Sequence, residues 1–283
     1  MKYGMNMLLW TGDCTGPKFP ALFERLKTTG FDLVEIPIFD PNVKKLAALA
    51  KKLDDMGLER SAVTCLTEKT NLVGTNPKQR AAGVKHLKAV IECCQAMGVK
   101  KLVGPLYAAL GVFSGKGPTK QELRWSADGL REAADYAKKA GVTLVLEFLN
   151  RFEIYLLNCA EDAANLVRTI NHPNVKMMYD TFHANIEEKS IRNALEVCKD
   201  VMVHVHISEN DRSTPGKGGV NWADTWRSLK AINYNELLVI EAFGQGLPAL
   251  AAATKIWRKM FPDEETLAKD GLAFMKKSWE AAQ

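Results

Sequence analysis

Several features that would assign a protein class at once are missing from this sequence. No apolar run approaches the ~20 residues that a membrane-spanning helix needs, and the first residues, MKYGMNMLLW, show no secretory cleavage pattern. We therefore expect a cytoplasmic protein that has no membrane partner. The six cysteines include no CxxC pair, which argues against a thiolate zinc site and against a disulfide scaffold.

Nucleotide and nucleic-acid motifs are also missing. No GxGxxG follows the first apolar segment, and the Gly-Lys loops FSGKGP and TPGKGG do not match the GxxxxGKS or GxxxxGKT pattern of a phosphate-binding loop. The formal net charge of +5 is small for 283 residues, and lysines alternate with acidic residues along helical segments such as KKLAALAKKLDD. We therefore expect no nucleic-acid partner.

What the chain does contain is a regular alternation of short apolar segments and longer amphipathic segments. Because each amphipathic segment returns the chain to the same end of a sheet, this alternation predicts parallel strands joined by crossover helices. Eight such units predict an α/β protein, a (β/α)8 TIM barrel formed by one domain over residues 1–283, with an extra C-terminal helix at about 264–282. The predicted strands are Tyr3–Trp10, Asp32–Ile38, Arg60–Cys65, Lys101–Tyr107, Thr143–Leu149, Lys176–Thr181, Met202–Ser208 and Leu237–Phe243.

Ionisable residues interrupt the last four predicted strands, in each case near the carboxyl end. They are Glu147 in TLVLEFL, Asp180 in KMMYDT, His206 in MVHVHIS and Glu241 in LLVIEAF. An unpaired carboxylate in such a segment would cost several kcal/mol to bury, and barrel enzymes place their chemistry at the carboxyl ends of the strands. Any one of the four could simply pair with a Lys or Arg. Four on consecutive strands predict one shared site for a divalent metal such as Mn²⁺, Co²⁺ or Mg²⁺.

Other polar residues are weaker candidates. His204 precedes His206 by two positions on the same strand face, one layer deeper, and we interpret it as a buried supporting histidine rather than a ligand. Glu153, His183 and Arg212 lie on the loops that follow strands five, six and seven, from which they could reach the same rim. Taken singly, each could equally be an ordinary loop residue. Among the tryptophans, only Trp10 is placed at the end of a strand where it could face a substrate.

Four segments in the second half of the chain resemble one enzyme family in order and spacing. They are LEFLNRFEIYLLN, YDTFHANIEE, VHVHISENDRSTPGKGGVNW and VIEAF. Together they are similar to the D-tagatose 3-epimerase and D-psicose (D-allulose) 3-epimerase family, which belongs to the xylose isomerase-like sugar isomerase and epimerase barrels. The close match covers about residues 143–243, and looser similarity extends through FDLVEI to the N-terminus.

This resemblance implies a function and a set of site residues. The metal ligands would be Glu147, Asp180, His206 and Glu241, holding one divalent ion per subunit, with Mn²⁺ favoured and Co²⁺ or Mg²⁺ as alternatives. Substrate-binding residues would be Glu153, His183 and Arg212. The implied reaction is the C3 epimerisation of free ketoses such as D-tagatose, D-fructose, D-psicose or ketopentoses through a cis-enediolate, with Glu147 and Glu241 as the catalytic acid/base pair. Members of the family usually form homodimers or homotetramers.

Two regions depart from the family pattern, and both concern the far end of the sugar. Strand one is typically rich in aromatic residues in relatives but here reads GMNMLLW, with Asn6 and Leu8, and the loop PLYAALGVFSGKGP lacks the usual tryptophan. The preferred configuration at C4–C6 is therefore left open. A related metal-dependent sugar isomerase, an inosose dehydratase-like lyase and a non-catalytic sugar-binding barrel remain alternatives. An endonuclease IV-like repair enzyme would need more histidines than the five present.

Overall fold

The computed structural model describes residues 1–282 as a closed barrel of eight parallel strands. Each strand is hydrogen-bonded to its neighbours in chain order, and β1 also pairs with β8, which closes the sheet. The predicted (β/α)8 barrel is confirmed. The strands are β1 Lys2–Asn6, β2 Leu33–Pro37, β3 Glu59–Val63, β4 Lys101–Gly104, β5 Thr143–Glu147, β6 Val175–Asp180, β7 Met202–Ile207 and β8 Leu237–Ile240.

Helices follow the strands and surround the barrel. Glycines follow the ends of the first four α-helices: Gly30, Gly57, Gly98 and Gly141 all have positive φ, the left-handed conformation that commonly ends a helix. The α-helices are α1 Phe19–Thr29, α2 Val43–Asp55, α3 Pro77–Met97, α4 Lys120–Ala140, α5 Ala160–Ile170, α6 Thr181–Glu187, α7 Ile191–Cys198, α8 Trp222–Ala231, α9 Pro248–Thr254 and α10 Glu264–Ala281, and two short 3-10 helices span Met7–Leu9 and Glu68–Thr70. None of these helices is both long and apolar enough to cross a bilayer.

Near β1 and after β6 the structure differs from the sequence prediction. β1 ends at Asn6 rather than at Trp10, because the Asn6 side chain accepts a hydrogen bond from the Leu8 backbone N–H and caps the 3-10 helix that follows. Trp10 therefore packs, half-buried, against the core, while Leu8 faces the cavity above the barrel. The segment after β6 was not predicted as a helix. It forms α6 directly, with the Asp180 carboxylate accepting from the backbone N–H groups of Phe182 and His183 at its N-terminus.

Candidate active site

Four side chains from consecutive strands meet at the carboxyl end of the barrel. Glu147 ends β5, Asp180 ends β6, His206 lies near the end of β7 and Glu241 follows β8. One ligand atom from each lies within 4.8 Å of all the others, and all four residues are buried. The Nδ1 atom of His206 lies 3.6 Å from Glu147 Oε1, 3.5 Å from Asp180 Oδ2 and 3.4 Å from Glu241 Oε1. The structure thus brings together the four residues that the sequence predicts as metal ligands.

The electrostatics of this group suit a cation. Glu147 Oε1 and His206 Nδ1 are buried without a hydrogen-bond partner, although both point into the cluster. Burial raises the pKa of Glu147 to about 8, a direction that Glu241 reinforces. Burial disfavours the imidazolium of His206, but Glu241 and Glu35 outweigh it and hold that pKa well above its usual value. A divalent ion bound here would satisfy both unpartnered atoms and replace the Nδ1 proton, so these residues fit a metal.

Arg212 supplies a fixed positive charge beside the carboxylates. Its Nη1 donates to Glu241 Oε2 at 2.5 Å and to Asp180 Oδ2 at 3.3 Å. The guanidinium lies over the ring of Phe182 at 3.9 Å and near that of Phe243 at 4.9 Å. Burial of these two carboxylates disfavours their charge, but Arg212 and His206 hold the pKa of both below the usual range. Arg212 is therefore part of the cluster and no ordinary loop residue.

His183, on α6, meets Arg212 at the floor of the cavity. The backbone N–H of Asn150 donates to His183 Nδ1 at 3.0 Å, so the proton of the neutral ring lies on Nε2. Burial and the charge of Arg212 hold the pKa of His183 well below its usual value, which favours that neutral ring. Its Nε2 faces Arg212 Nη2 at 2.8 Å. With the ring proton on Nε2, two donor nitrogens face each other across this contact, and an oxygen acceptor bound beside them would be favourable.

Glu153, the remaining predicted residue, lines the cavity and is anchored to the same group. Its Oε1 accepts from Asn150 Nδ2 at 2.8 Å, and Asn150 also contacts His183. The structure therefore brings all seven predicted site residues to one end of the barrel.

A buried glutamate that the sequence analysis did not select organises the loop after β7. Glu209 accepts hydrogen bonds from the backbone N–H groups of Gly216 and Val220, and from the indole N–H of Trp222. This loop carries Arg212, whose φ of 64° lies in the left-handed region. Both carboxylate oxygens of Glu209 accept hydrogen bonds from the loop, so this one side chain holds the loop folded back on itself. Glu209 is visible in SENDRSTPGKGG as an acidic residue of a polar loop, but the sequence alone does not predict which groups its carboxylate binds.

A second layer of polar side chains lies beneath the cluster, inside the barrel. Glu35, in the middle of β2, is fully buried, and its Oε1 lies 2.7 Å from His206 Nε2. Strand register aligns Asn6, Glu35 and Ser61 side by side on β1, β2 and β3. His204 Nε2 lies 3.2 Å from Glu35 Oε2, without the alignment of a hydrogen bond. His204 is thus a buried neighbour of the cluster, one layer deeper than His206, as its place in the strand predicts.

A cavity of about 690 Å³ opens above the cluster. Glu147 and Glu241 form part of its floor with His183 and Arg212, and its upper walls are largely apolar. The wall residues include Leu8, Phe39, Val63, Leu110, Phe243 and Leu250, with Thr67, Lys69 and His86 among the polar exceptions. Both regions that depart from the family pattern contribute here, through Leu8 and Leu110, whereas Asn6 faces the layer below.

Comparisons with known proteins agree with this fold and cluster. Residues 23–278 match the model of the xylose isomerase-like TIM barrel family. The chain is 32% identical over 278 residues to a D-psicose 3-epimerase of Enterocloster bolteae, an alignment covering 95% of this chain and 92% of the relative. A solved L-ribulose 3-epimerase superposes with a TM-score of 0.93 at 31% identity, over 99% of this chain and 94% of the other. A D-allulose 3-epimerase from Methylomonas sp., solved in complex with D-allulose, gives a TM-score of 0.90 at 28% identity, over 98% and 97% of the two chains. The chain therefore belongs to the xylose isomerase-like TIM barrel family and, within it, to the ketose 3-epimerases.

Proposed function

We propose that this enzyme catalyses the reversible C3 epimerisation of a free ketose, with one divalent metal ion held by Glu147, Asp180, His206 and Glu241. The observation that carries the proposal is the convergence of these four side chains around two unpartnered polar atoms at the floor of a sugar-sized cavity. Mn²⁺ is the ion we favour, because the ligands are three carboxylates and one imidazole. When bound, the ion would act as a Lewis acid that stabilises negative charge on the ketose oxygens.

The protein residues divide the proton chemistry between them. We assign Glu147 and Glu241 as the two acid/base groups that remove a proton from C3 and return one to the opposite face, because both carboxylates are at the cavity floor and belong to opposite ends of the four-strand arc. The Nε2–H of His183 and the guanidinium of Arg212 would donate to the O2 oxygen as the cis-enediolate forms. Glu153, anchored by Asn150, would accept from a substrate hydroxyl.

The cavity supports an unphosphorylated substrate. Among its described lining residues, the permanent cations are Lys69 and Arg212, and Arg212 is already paired with Asp180 and Glu241. A phosphate group usually needs several donors or a helix N-terminus with free N–H groups. The relatives that carry sugar names, D-psicose, L-ribulose and D-allulose, support the same class of substrate.

Isotope exchange tests the reaction and the two roles together. Wild type, Glu147→Gln and Glu241→Gln are incubated with each of two C3 epimers in D₂O, and deuterium at C3 is followed by NMR, with Mn²⁺ content measured in every sample. We expect both variants to lose epimerisation, and each to block exchange from a different epimer, because a neutral amide cannot accept the proton. Chelation with EDTA should abolish exchange in the wild type, and Mn²⁺ should restore it.

Three results would contradict the proposal. Turnover that survives complete metal removal would exclude the metal. Products that are aldoses or C4 epimers would assign a different reaction to the same site. Exchange of both epimers in one variant and of neither in the other would show a single base.

A further inference from the structure

We propose that Glu35 is a positioning residue for the metal site: it holds the proton of His206 on Nε2 and so presents Nδ1 to the metal. The inference rests on the proposed function, since it concerns the same site. Glu35 touches neither the cavity nor the three carboxylates of the cluster. It reaches the cluster directly through the imidazole of His206 and indirectly through Asn6, whose Nδ2 donates both to Glu35 Oε1 and to Glu241 Oε1.

The geometry of His206 gives its two nitrogens different surroundings. Nδ1 faces Glu147, Asp180 and Glu241 at 3.4–3.6 Å and has no hydrogen-bond partner. Nε2 lies 2.7 Å from Glu35 Oε1. A neutral imidazole has one donor and one acceptor nitrogen, so a partner that can only accept decides which nitrogen keeps the hydrogen.

Glu35 is such a partner, because donors surround its carboxylate. Asn6 Nδ2 donates to Oε1 at 3.0 Å, and the hydroxyl of Ser61 donates to Oε2 at 2.8 Å. The orientation of the Asn6 amide is itself fixed, since its Oδ1 accepts from the Leu8 backbone N–H at 2.9 Å. With its other contacts all donating, Glu35 accepts from His206 Nε2. Its place in the middle of β2, fully buried, leaves the carboxylate little freedom to move.

The same neighbourhood argues against a second metal ion. Glu35, His204 and His206 offer three ligand atoms close to one another. Glu35, however, already accepts on both oxygens, and His206 Nε2 is engaged by it at hydrogen-bond distance. Carboxylates that support a metal-bound histidine in this way raise its basicity and fix the ring, and their loss typically weakens metal binding by about 10- to 100-fold.

Metal affinity and the position of the His206 proton test the role. Mn²⁺ binding to metal-stripped wild type, Glu35→Gln and Glu35→Met is titrated by the EPR signal of free Mn²⁺. We expect Kd to rise about 10-fold in Glu35→Gln, which keeps an uncharged acceptor, and about 100-fold in Glu35→Met, which keeps none. Ser126→Ala is the control: it removes a buried serine hydrogen bond, to the Tyr107 carbonyl, that contacts neither Glu35 nor the cluster, so its Kd should stay within about twofold of wild type.

Histidine NMR supplies a readout that a merely structural role would not move. In ¹⁵N-histidine-labelled wild type loaded with Zn²⁺, the His206 ring should carry its hydrogen on Nε2 and none on Nδ1, and five histidines make the spectrum assignable with variants. A hydrogen on Nδ1 would overturn the inference, even if Glu35→Met fails to fold.

The remaining outcomes separate this inference from the proposed function. If the wild type binds no Mn²⁺, the proposed metal site itself fails, and the inference fails with it. If the wild type binds one ion but Glu35→Gln binds it with unchanged Kd, only the role of Glu35 is overturned. Two ions per chain would make Glu35 a ligand and contradict the positioning role.

Discussion

In the proposed function, a divalent metal binds the same carboxylates that Arg212 pairs with, and this overlap leads to a prediction about stability. Replacing Arg212 by Met keeps an apolar side chain between Phe182 and Phe243 but removes the donor to Asp180 and Glu241. We expect the metal-free protein to be strongly destabilised and the addition of Mn²⁺ to reverse much of the loss, because the ion supplies the missing positive charge.

The expected loss of stability follows from the burial of the ion pairs that Arg212 forms with Asp180 and Glu241. The side chains of Arg212, Asp180 and Glu241 are between 0% and 6% exposed, so solvent cannot replace the lost donor. His206 is the cation that remains close to them, and it also faces Glu35. Removing one partner from a buried ion pair costs about 3–5 kcal/mol. At roughly 2 °C per kcal/mol for a domain of this size, Tm of the metal-free variant should fall by roughly 6–10 °C.

Thermal unfolding, followed by circular dichroism with EDTA and with saturating Mn²⁺, measures both effects. Arg168→Met is the control, because that arginine is 40% exposed and pairs with Asp200 on the surface, where such a pair contributes about 0–1 kcal/mol. Its Tm should change by no more than about 2 °C, with or without metal. The reasoning is refuted if metal-free Arg212→Met unfolds within about 2 °C of wild type, or if Mn²⁺ leaves the gap between the two proteins unchanged.

Two further predictions concern a histidine pair and a helical glycine. His206→Ala should abolish Mn²⁺ binding, whereas His204→Ala, which removes a ring that packs against Glu35 and the His206 ring but contacts none of the other ligands, should lower Tm first and retain most of the binding. Equal loss of metal in both variants would contradict the layer assignment. Gly83→Ala in α3 should destabilise the protein by about 1–3 kcal/mol despite the helix propensity of alanine, because the added Cβ would lie 2.3 Å from the Thr70 carbonyl oxygen. Gly129→Ala in α4 meets only movable side-chain atoms, 3.1 Å away at the nearest, so urea unfolding should find it near neutral, and equal losses would refute the steric argument.

The sequence predicted the barrel because its signals are local and repeated. Strand and helix periodicities alternate eight times. Helices end at glycines such as Gly98 and Gly141, whose positive φ is a property of the single residue and depends on no distant contact. The predicted strands were too long at their carboxyl ends: β4 ends at Gly104, not Tyr107, and β8 at Ile240, not Phe243. Apolar residues continue past the last ladder hydrogen bond there because the loops are buried as well, so hydrophobicity alone does not mark where pairing stops.

The candidate site was predictable where a charged residue stood at the end of an apolar strand. Glu35 gave a similar signal, an acid inside the buried segment LVEIP, but it lies in mid-strand, and its partners come from three other strands. Those contacts depend on barrel register, which no local pattern encodes. Glu209 was missed for a related reason: the backbone and indole N–H groups that it binds lie up to 13 residues away and are brought together only when the loop folds.

The loop that Glu209 closes affects how sugar binding is driven. Its single carboxylate binds backbone and indole N–H groups across residues 209–222, and it thereby fixes the backbone that carries Arg212. Ordering an arginine side chain and its loop costs conformational entropy, of the order of 1–2 kcal/mol for each residue fixed. Here that entropy is lost when the protein folds. Under the proposed function, the guanidinium of Arg212 is therefore already in place when the ketose binds. The free energy of sugar binding can then serve to position the reacting carbon, because none of it is needed to order the side chain of Arg212 and its loop.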